Sequence, residues 1–336
     1  MKPAFILGIV LTLALALGLT WWVNRGEAPD AAPIALRLAL PMRQATAAAF
    51  IAADSGLYAR EGLAVTLRDA SSGADAVKML LAGEAEVALS AEAPVAWAAL
   101  RGVPIVVLAS VYESLDDKKI VARRDRGIAA PGDLAGKRLG YGLANSAAYF
   151  ADAYLLTHGI QDVRTVELSG GPSHAAKELL EGGIDAAVLV PPYSKEAMAA
   201  LGGNGLLLGD PSIAPVNFCL VTTRAWAEAH PRVVRRLLAA LIAATGAIKV
   251  HPEASLATLA RHFKLELAVL HLDWVPGNYA VRLHPTLQGI LDEQMRWALK
   301  KGLVPASEVN QRLRATHVLW VEPLRSLDPA AVTLRH

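Results

Sequence analysis

From Ile34 onward the chain alternates short runs rich in β-branched and leucine residues with longer alanine- and leucine-rich runs at helical spacing. The first series predicts strands over Ile34–Leu40, Leu63–Asp69, Val87–Ser90 and Ile105–Tyr112, with helices over Ala45–Ala59, Ala74–Leu81 and Pro94–Arg101 between them. A second series predicts strands at Ile120–Arg123, Arg138–Tyr141, Arg164–Leu168, Ala186–Val190 and Phe218–Thr222. Its helices fall at Ala147–His158, Ser173–Leu180 and Ser194–Leu201, and the pattern from Ala225 onward is mostly helical. Strand–helix alternation of this kind predicts an α/β protein whose sheets are mostly parallel and flanked by helices.

The two series repeat each other. The segment Ser71–Gly83 aligns without a gap on Gly170–Gly182, an offset of 99 residues. The register continues, with Glu86 on Asp185, Val87 on Ala186 and Phe50 on Tyr149. A strand, a glycine turn and an acidic residue kept in step imply two lobes built on one plan. Ligands of open α/β sheets bind beyond the carboxyl ends of the strands, so two such lobes facing each other predict a cleft.

Ahead of this region Lys2 precedes an apolar run from Ala4 to Val23. Twenty residues at about 1.5 Å each span a bilayer core of about 30 Å. Trp21 and Trp22 stand at its outer end, where interfacial aromatics belong, and Gly26-Glu27-Ala28 followed by Pro29 suits cleavage poorly. The expectation is a signal peptide or, as the poor cleavage site favours, an uncleaved apolar anchor helix, with a tether, residues 1–33, that leaves the remainder periplasmic or otherwise extracytoplasmic.

Charge and cysteine content narrow the function classes. With 33 basic and 31 acidic residues the net charge is +2, and no basic stripe suggests nucleic acid. Cys219 is the one cysteine, so no internal disulfide forms, and the nine histidines show no HxxxH or HExxH spacing. No metal and no cofactor is expected. A GxSxG elbow, a Walker-type loop and a GxGxxG turn are all absent, so the sequence is read as a binder and not as an enzyme.

Four segments in order carry a family resemblance. They are Ala52-Ala53-Asp54-Ser55-Gly56-Leu57-Tyr58-Ala59-Arg60-Glu61-Gly62-Leu63, Leu80-Leu81-Ala82-Gly83-Glu84-Ala85-Glu86-Val87-Ala88, Pro131-Gly132-Asp133-Leu134-Ala135-Gly136-Lys137-Arg138-Leu139-Gly140, and Thr223-Arg224-Ala225-Trp226 with His230-Pro231 and His251-Pro252-Glu253-Ala254. Together they resemble the nitrate/sulfonate/taurine-type substrate-binding proteins of ABC importers. The resemblance implies the type 2 periplasmic-binding fold with two lobes and two crossing segments. It also implies a permease and an ATPase as partners and a monomeric binder. On this basis lobe 1 comprises 34–113 with 223–336, lobe 2 comprises 118–216, and the hinge crossings are 110–117 and 215–222. Relatives carry a Trp-Glu-Pro-Tyr-like element where this chain has Val190-Pro191-Pro192-Tyr193, so the carboxylate that would recognise a ligand amine is missing there.

Candidate ligand-binding residues follow from topology, as loops after strands that open helices. In Pro41-Met42-Arg43-Gln44, Arg43 offers a planar fork for anion oxygens, or is a solvated loop residue, and Gln44 stands beside it. Ser72 is a contact or a plain N-cap. Ser90 and Glu92 flank the next turn, where Glu92 is a contact or complements the helix dipole. Asn145, Ser146 and Ala147 open a helix whose free N–H groups would cradle an anion, or Asn145 and Ser146 only cap it. Tyr193 walls the pocket or packs, and Asn217 and Trp274 are weaker candidates. The expected ligand is a small anion or zwitterion. The alternatives are a neutral heteroaromatic, such as a pyrimidine thiamin precursor, and a sensory binder that signals through a membrane partner.

Overall fold

The computed structural model describes residues 32–142, 146–211, 213, 215–271, 274–305 and 313–334. The apolar run Ala4–Val23 and Asn145 lie outside the described residues. Among the described residues, no helix is long and apolar enough to cross a membrane.

Among the described residues, eleven strands form two sheets. The first contains β1 (Ile34–Pro41), β2 (Leu63–Ala70), β3 (Val87–Ala91), β4 (Ile105–Ser114), β10 (Val216–Thr223) and β11 (Tyr279–Arg282), in the order β11-β4-β10-β3-β1-β2. The second contains β5 (Lys119–Arg123), β6 (Arg138–Tyr141), β7 (Arg164–Glu167), β8 (Ala186–Leu189) and β9 (Gly205–Leu208), in the order β7-β6-β8-β5-β9. The chain passes between the sheets twice, from β4 to β5 and from β9 to β10.

The repeat predicted from sequence is visible in the topology. Both sheets carry a parallel triplet, β2-β1-β3 in one and β7-β6-β8 in the other. In both, the next strand has just arrived from the opposite sheet and runs antiparallel, β10 beside β3 and β5 beside β8. The fifth strand is antiparallel to that arrival, β4 beside β10 and β9 beside β5. This corrects the expectation of mostly parallel sheets: each is mixed. A strand entering from the other lobe starts at the edge nearest that lobe, so it must run against the triplet whose carboxyl ends point there.

The acidic residues paired by the repeat do the same work twice. Glu86 accepts the backbone N–H of Arg37 at 2.6 Å and its Nε at 3.0 Å, while Arg37 Nη2 donates to the Gly83 carbonyl at 2.9 Å. Asp185 accepts the backbone N–H of Arg138 at 3.0 Å and its Nη2 at 2.7 Å, while Arg138 Nη1 donates to the Gly183 carbonyl. Each arginine therefore staples the start of one central strand to the glycine turn before the next.

Packing follows burial. The strands β3, β4 and β8 are buried almost throughout, which explains their mostly apolar sequences, whereas the edge strands β2 and β7 keep exposed polar positions. Helix Ala45–Ala59 of the sequence reading is two helices, Ala47–Asp54 and Leu57–Arg60, because Gly56 at φ +65° turns the chain between them. Trp297, on the helix Pro285–Lys300, packs against the cores of both sheets. It stacks on Trp97 at 5.7 Å, meets Tyr149 edge-on at 5.6 Å and donates its indole N–H to Asp152 at 2.9 Å.

The repeat-related turns also meet across the gap between the sheets. A Cβ placed on Gly171 would lie 2.8 Å from the Ser71 carbonyl oxygen, a distance real Cβ atoms do not adopt. Gly171→Ala should therefore hold the lobes apart, and solution scattering should show a larger radius of gyration than for the wild type. Gly170→Ala is the control, since it shares the positive φ but its Cβ meets only His174 of its own helix at 3.2 Å. Equal radii for the two variants would refute the contact.

A second expectation concerns the staple. Arg138 holds the Asp185 carboxyl below its ordinary pKa, chiefly by side-chain hydrogen bonding and against the opposing effect of desolvation. A carboxylate depressed in the folded state contributes stability above its unfolded pKa and loses it as pH falls through the folded value. Asp185→Asn should cost about 1–2 kcal/mol at pH 7, below the full range for a charged hydrogen bond because Arg138 is partly exposed. Urea unfolding should show this difference fading below about pH 4; a constant difference down to pH 2 would contradict it.

Candidate functional site

The carboxyl ends of the two parallel triplets face one cavity of about 240 Å³. Its walls come from the segments after β1, β2, β3 and β8, from β10, and from the first crossing segment. Five helices begin at or beside it: Gly73–Leu81, Glu92–Leu100, Ser146–Thr157, Gly171–Glu181 and Tyr193–Leu201. Each helix start presents backbone N–H groups without intrahelical partners and a partial positive charge, so their convergence favours negative charge in the cavity. Most of the remaining lining is apolar, with Met42, Pro94, Val188, Val190 and Phe218 among it.

Of the sequence candidates, Arg43, Ser72, Ser146, Ala147 and Tyr193 line this cavity. Ser72 is at the same time an N-cap, its Oγ accepting the Asp75 N–H at 3.2 Å. Arg43 does not present a free fork. Its Nη2 donates to both oxygens of Asp117 at 2.7 Å, and its guanidinium stacks 4.8 Å from the Phe218 ring centroid. Its Nε is buried without a hydrogen-bond partner.

Four other candidates are turned away from the cavity. Gln44 is buried and donates to the Leu270 carbonyl at 2.7 Å. Ser90 is buried, its hydroxyl bonded to the Ala91 carbonyl at 3.0 Å. Glu92 is fully buried behind the lining residues Ala91 and Pro94, where it accepts Gln294 Nε2 at 2.7 Å and the Asn217 N–H at 3.0 Å. Asn217 is equally buried, its Oδ1 accepting from Ser110 Oγ and facing His284 Nε2, each at 3.2 Å. Glu92 and Asn217 bond to each other, Gln44 and Ser90 bond to main-chain carbonyls, and Asn217 Nδ2 is buried without a partner, so the structure places all four beneath the wall. Trp274 packs against Tyr279 at 5.1 Å and is not part of the lining.

Sequence reasoning passed over Lys118 and Asp117. The run Asp116-Asp117-Lys118-Lys119 reads as a solvated turn between two strands, yet Asp117 is 6% and Lys118 5% exposed. Lys118 lines the cavity, and among the described residues no carboxylate stands within ion-pair distance of it. Burial lowers its pKa, partly offset by the charges of Glu92 and Asp117. Burial raises Glu92, partly offset by Lys118 and by its hydrogen bonds. The signal available in the sequence was position: a charge run inside the first crossing must pass the floor of any interlobe cleft. Among the described residues, no group of three or more His, Cys, Asp or Glu side chains could hold a metal ion.

Known proteins share this architecture. The alkanesulfonate-binding protein SsuA from Xanthomonas axonopodis pv. citri bound to MOPS superposes with a TM-score of 0.72 at 20% identity, over 87% of this chain and all of that one. The periplasmic nitrate-binding protein NrtA from Synechocystis PCC 6803 gives 0.69 at 14% identity, over 90% of each chain. Similarity at this level establishes the fold. In sequence, the taurine-binding periplasmic protein of Escherichia coli strain K12 is 28% identical over 188 residues, which is 54% of this chain and 57% of that protein, so the match spans little more than half of the relative. The family model described as NMT1/THI5 like matches residues 44–255, well over half of the chain. The chain therefore belongs to the NMT1/THI5-like family and has the two-lobed periplasmic-binding-protein fold.

Proposed function

We propose that this chain is the extracytoplasmic solute-binding component of an ABC importer, catalyses nothing, and holds a small organic anion or zwitterion in the interlobe cleft for delivery to a permease and its ATPase. The observation that carries the reading is the cavity itself, where five helix starts and the buried Lys118 converge on an otherwise mostly apolar space. The sulfonate-, nitrate- and taurine-binding relatives named above support the same ligand class. In this reading 34–113 with 223–336 form lobe 1 and 118–216 form lobe 2. Segments 110–117 and 215–222 act as hinges of a monomer, and the apolar run Ala4–Val23 tethers it to the membrane.

Within the reading, Lys118 is the ligand's counter-charge, Ser146 and Ala147 offer N–H donors, Ser72 supplies a hydroxyl, and Tyr193 with Phe218 clasps the apolar part. Arg43 has its charge answered by Asp117 and shapes the floor. One observation favours a second reading. Tyr193 and Phe218 both line a cavity with few charges, which also suits a neutral heteroaromatic ring.

A thermal-shift screen against alkanesulfonates, small carboxylates, nitrate, amino acids and pyrimidines finds the class, since a ligand at a hundredfold excess over Kd stabilises by about 2.7 kcal/mol. For the ligand found, Lys118→Met should weaken binding roughly 10- to 150-fold, the loss of one charge-assisted hydrogen bond of about 1.5–3 kcal/mol. A change under about twofold, combined with loss of binding in Tyr193→Ala, would favour the heteroaromatic reading instead.

A further inference from the structure

Four ionisable side chains gather at the inner wall of the cleft: the partly buried Arg43 and the buried Asp117, Lys118 and Glu92. Arg43 and Asp117 cancel each other in a closed ion pair, both oxygens of the carboxylate lying 2.7 Å from Arg43 Nη2. Lys118 and Glu92 are what remains of the buried charges; the exposed Asp69, near the end of β2, also lines the cavity. Lys118 faces the cavity, and Glu92 lies one layer deeper, at the start of the helix whose Pro94 lines it.

Taken as sharing one proton, this second pair carries no net charge in the empty cleft. Either Lys118 is an ammonium and Glu92 a carboxylate, or both are neutral. An anion that binds beside Lys118 needs the ammonium form. If Glu92 stayed ionised, two buried anions would share one cation, and an uncompensated buried charge is strongly disfavoured. The imbalance is removed by one proton. On the anionic reading of the cleft, on which this inference rests, we propose that the site takes up its anion together with one proton from solvent, leaving Glu92 as a neutral carboxylic acid and Lys118 as the ammonium that holds the anion. Counted from either empty form, the sum is the same: one anion and one proton enter, and nothing leaves.

The surroundings of Glu92 accommodate both forms. Gln294 now offers its amide N–H to Glu92 Oε1, and its own Oε1 is buried without a partner. A half-turn of that amide presents the oxygen as acceptor for a carboxyl proton. The Asn217 N–H continues to serve the other carboxyl oxygen. Cys219 on β10 and Tyr149 on the Ser146–Thr157 helix also sense Glu92, and burial pushes both up, so they stay neutral and supply no competing charge. His284 lies beyond Asn217; burial lowers it, and its carboxylate neighbour is Glu113 at 3.6 Å, beside Arg282.

The test is calorimetric titration of the full chain with ethanesulfonate, which does not itself titrate near neutrality, at pH 7.5 in buffers of different ionisation enthalpy. The observed enthalpy should vary linearly with buffer ionisation enthalpy, with a slope equivalent to about one proton taken up. Affinity should fall about tenfold per pH unit between pH 7 and 9, as linkage requires for one proton. Glu92→Gln, nearly isosteric, should still bind ethanesulfonate, with a slope near zero and little pH dependence; if it fails to fold, the wild-type slope decides alone. Binding by the wild type with no proton uptake would overturn this inference and leave the anionic reading intact. Failure of ethanesulfonate, methanesulfonate, acetate and nitrate all to bind would overturn the anionic reading, and this inference with it.

Discussion

A parallel strand–helix–strand unit collects the starts of its helices at one edge of its sheet, where backbone N–H groups lack partners and dipoles point outward. Two such units built on one repeat turn those edges toward each other here, with Gly171 allowing the second turn to touch Ser71 of the first. Everything that distinguishes the site depends on that facing arrangement. It concentrates positive potential in a cavity of about 240 Å³, beside which a buried charge is costly to leave uncompensated. The charges on the first crossing are placed where that demand is strongest: Asp117 is paired with Arg43, while Lys118 has no carboxylate within ion-pair distance among the described residues and feels the charges of Glu92 and Asp117 at longer range.

On the proposed reading the arrangement joins recognition to motion. The segments between β4 and β5 and between β9 and β10 connect the two sheets, and the first carries both Asp117 and Lys118. A ligand that draws on Lys118 therefore acts on the linking strand itself. Trp297 contributes a second tie, since its indole packs against both cores and bonds to Asp152 of the opposite lobe. Side chains that touch no ligand thereby bear on how far the lobes can separate.

Much of the fold was legible because periodicity and repetition are local or nearly so. The strand runs, the 99-residue register and the pairing of Glu86 with Asp185 all reappear, the last as twin arginine staples. What sequence could not show was direction and depth. The mixed sheets follow from two crossings whose strands pair across about a hundred residues. Arg43, Ser72, Ser146, Ala147 and Tyr193 line the cavity because strand ends and helix starts face the cleft in this topology. Ser90, Glu92 and Asn217 sit at equally suggestive places, yet they turn inward, because Glu92 meets the Asn217 N–H and Gln294, 125 and 202 residues away. Lys118 was hidden by its own company: four consecutive charges look like a solvated turn until the fold buries two of them.

The central claim is that an anion's charged end is held by Lys118 and the helix starts while its apolar end lies between Tyr193 and Phe218. A crystal structure of the chain with ethanesulfonate tests it most directly. The account predicts sulfonate oxygens within about 3.2 Å of Lys118 Nζ and of the backbone N–H groups at Ser146 or Ala147. A ligand stacked on Tyr193 with its charged end pointing to solvent, and Lys118 left bonded to protein alone, would contradict it.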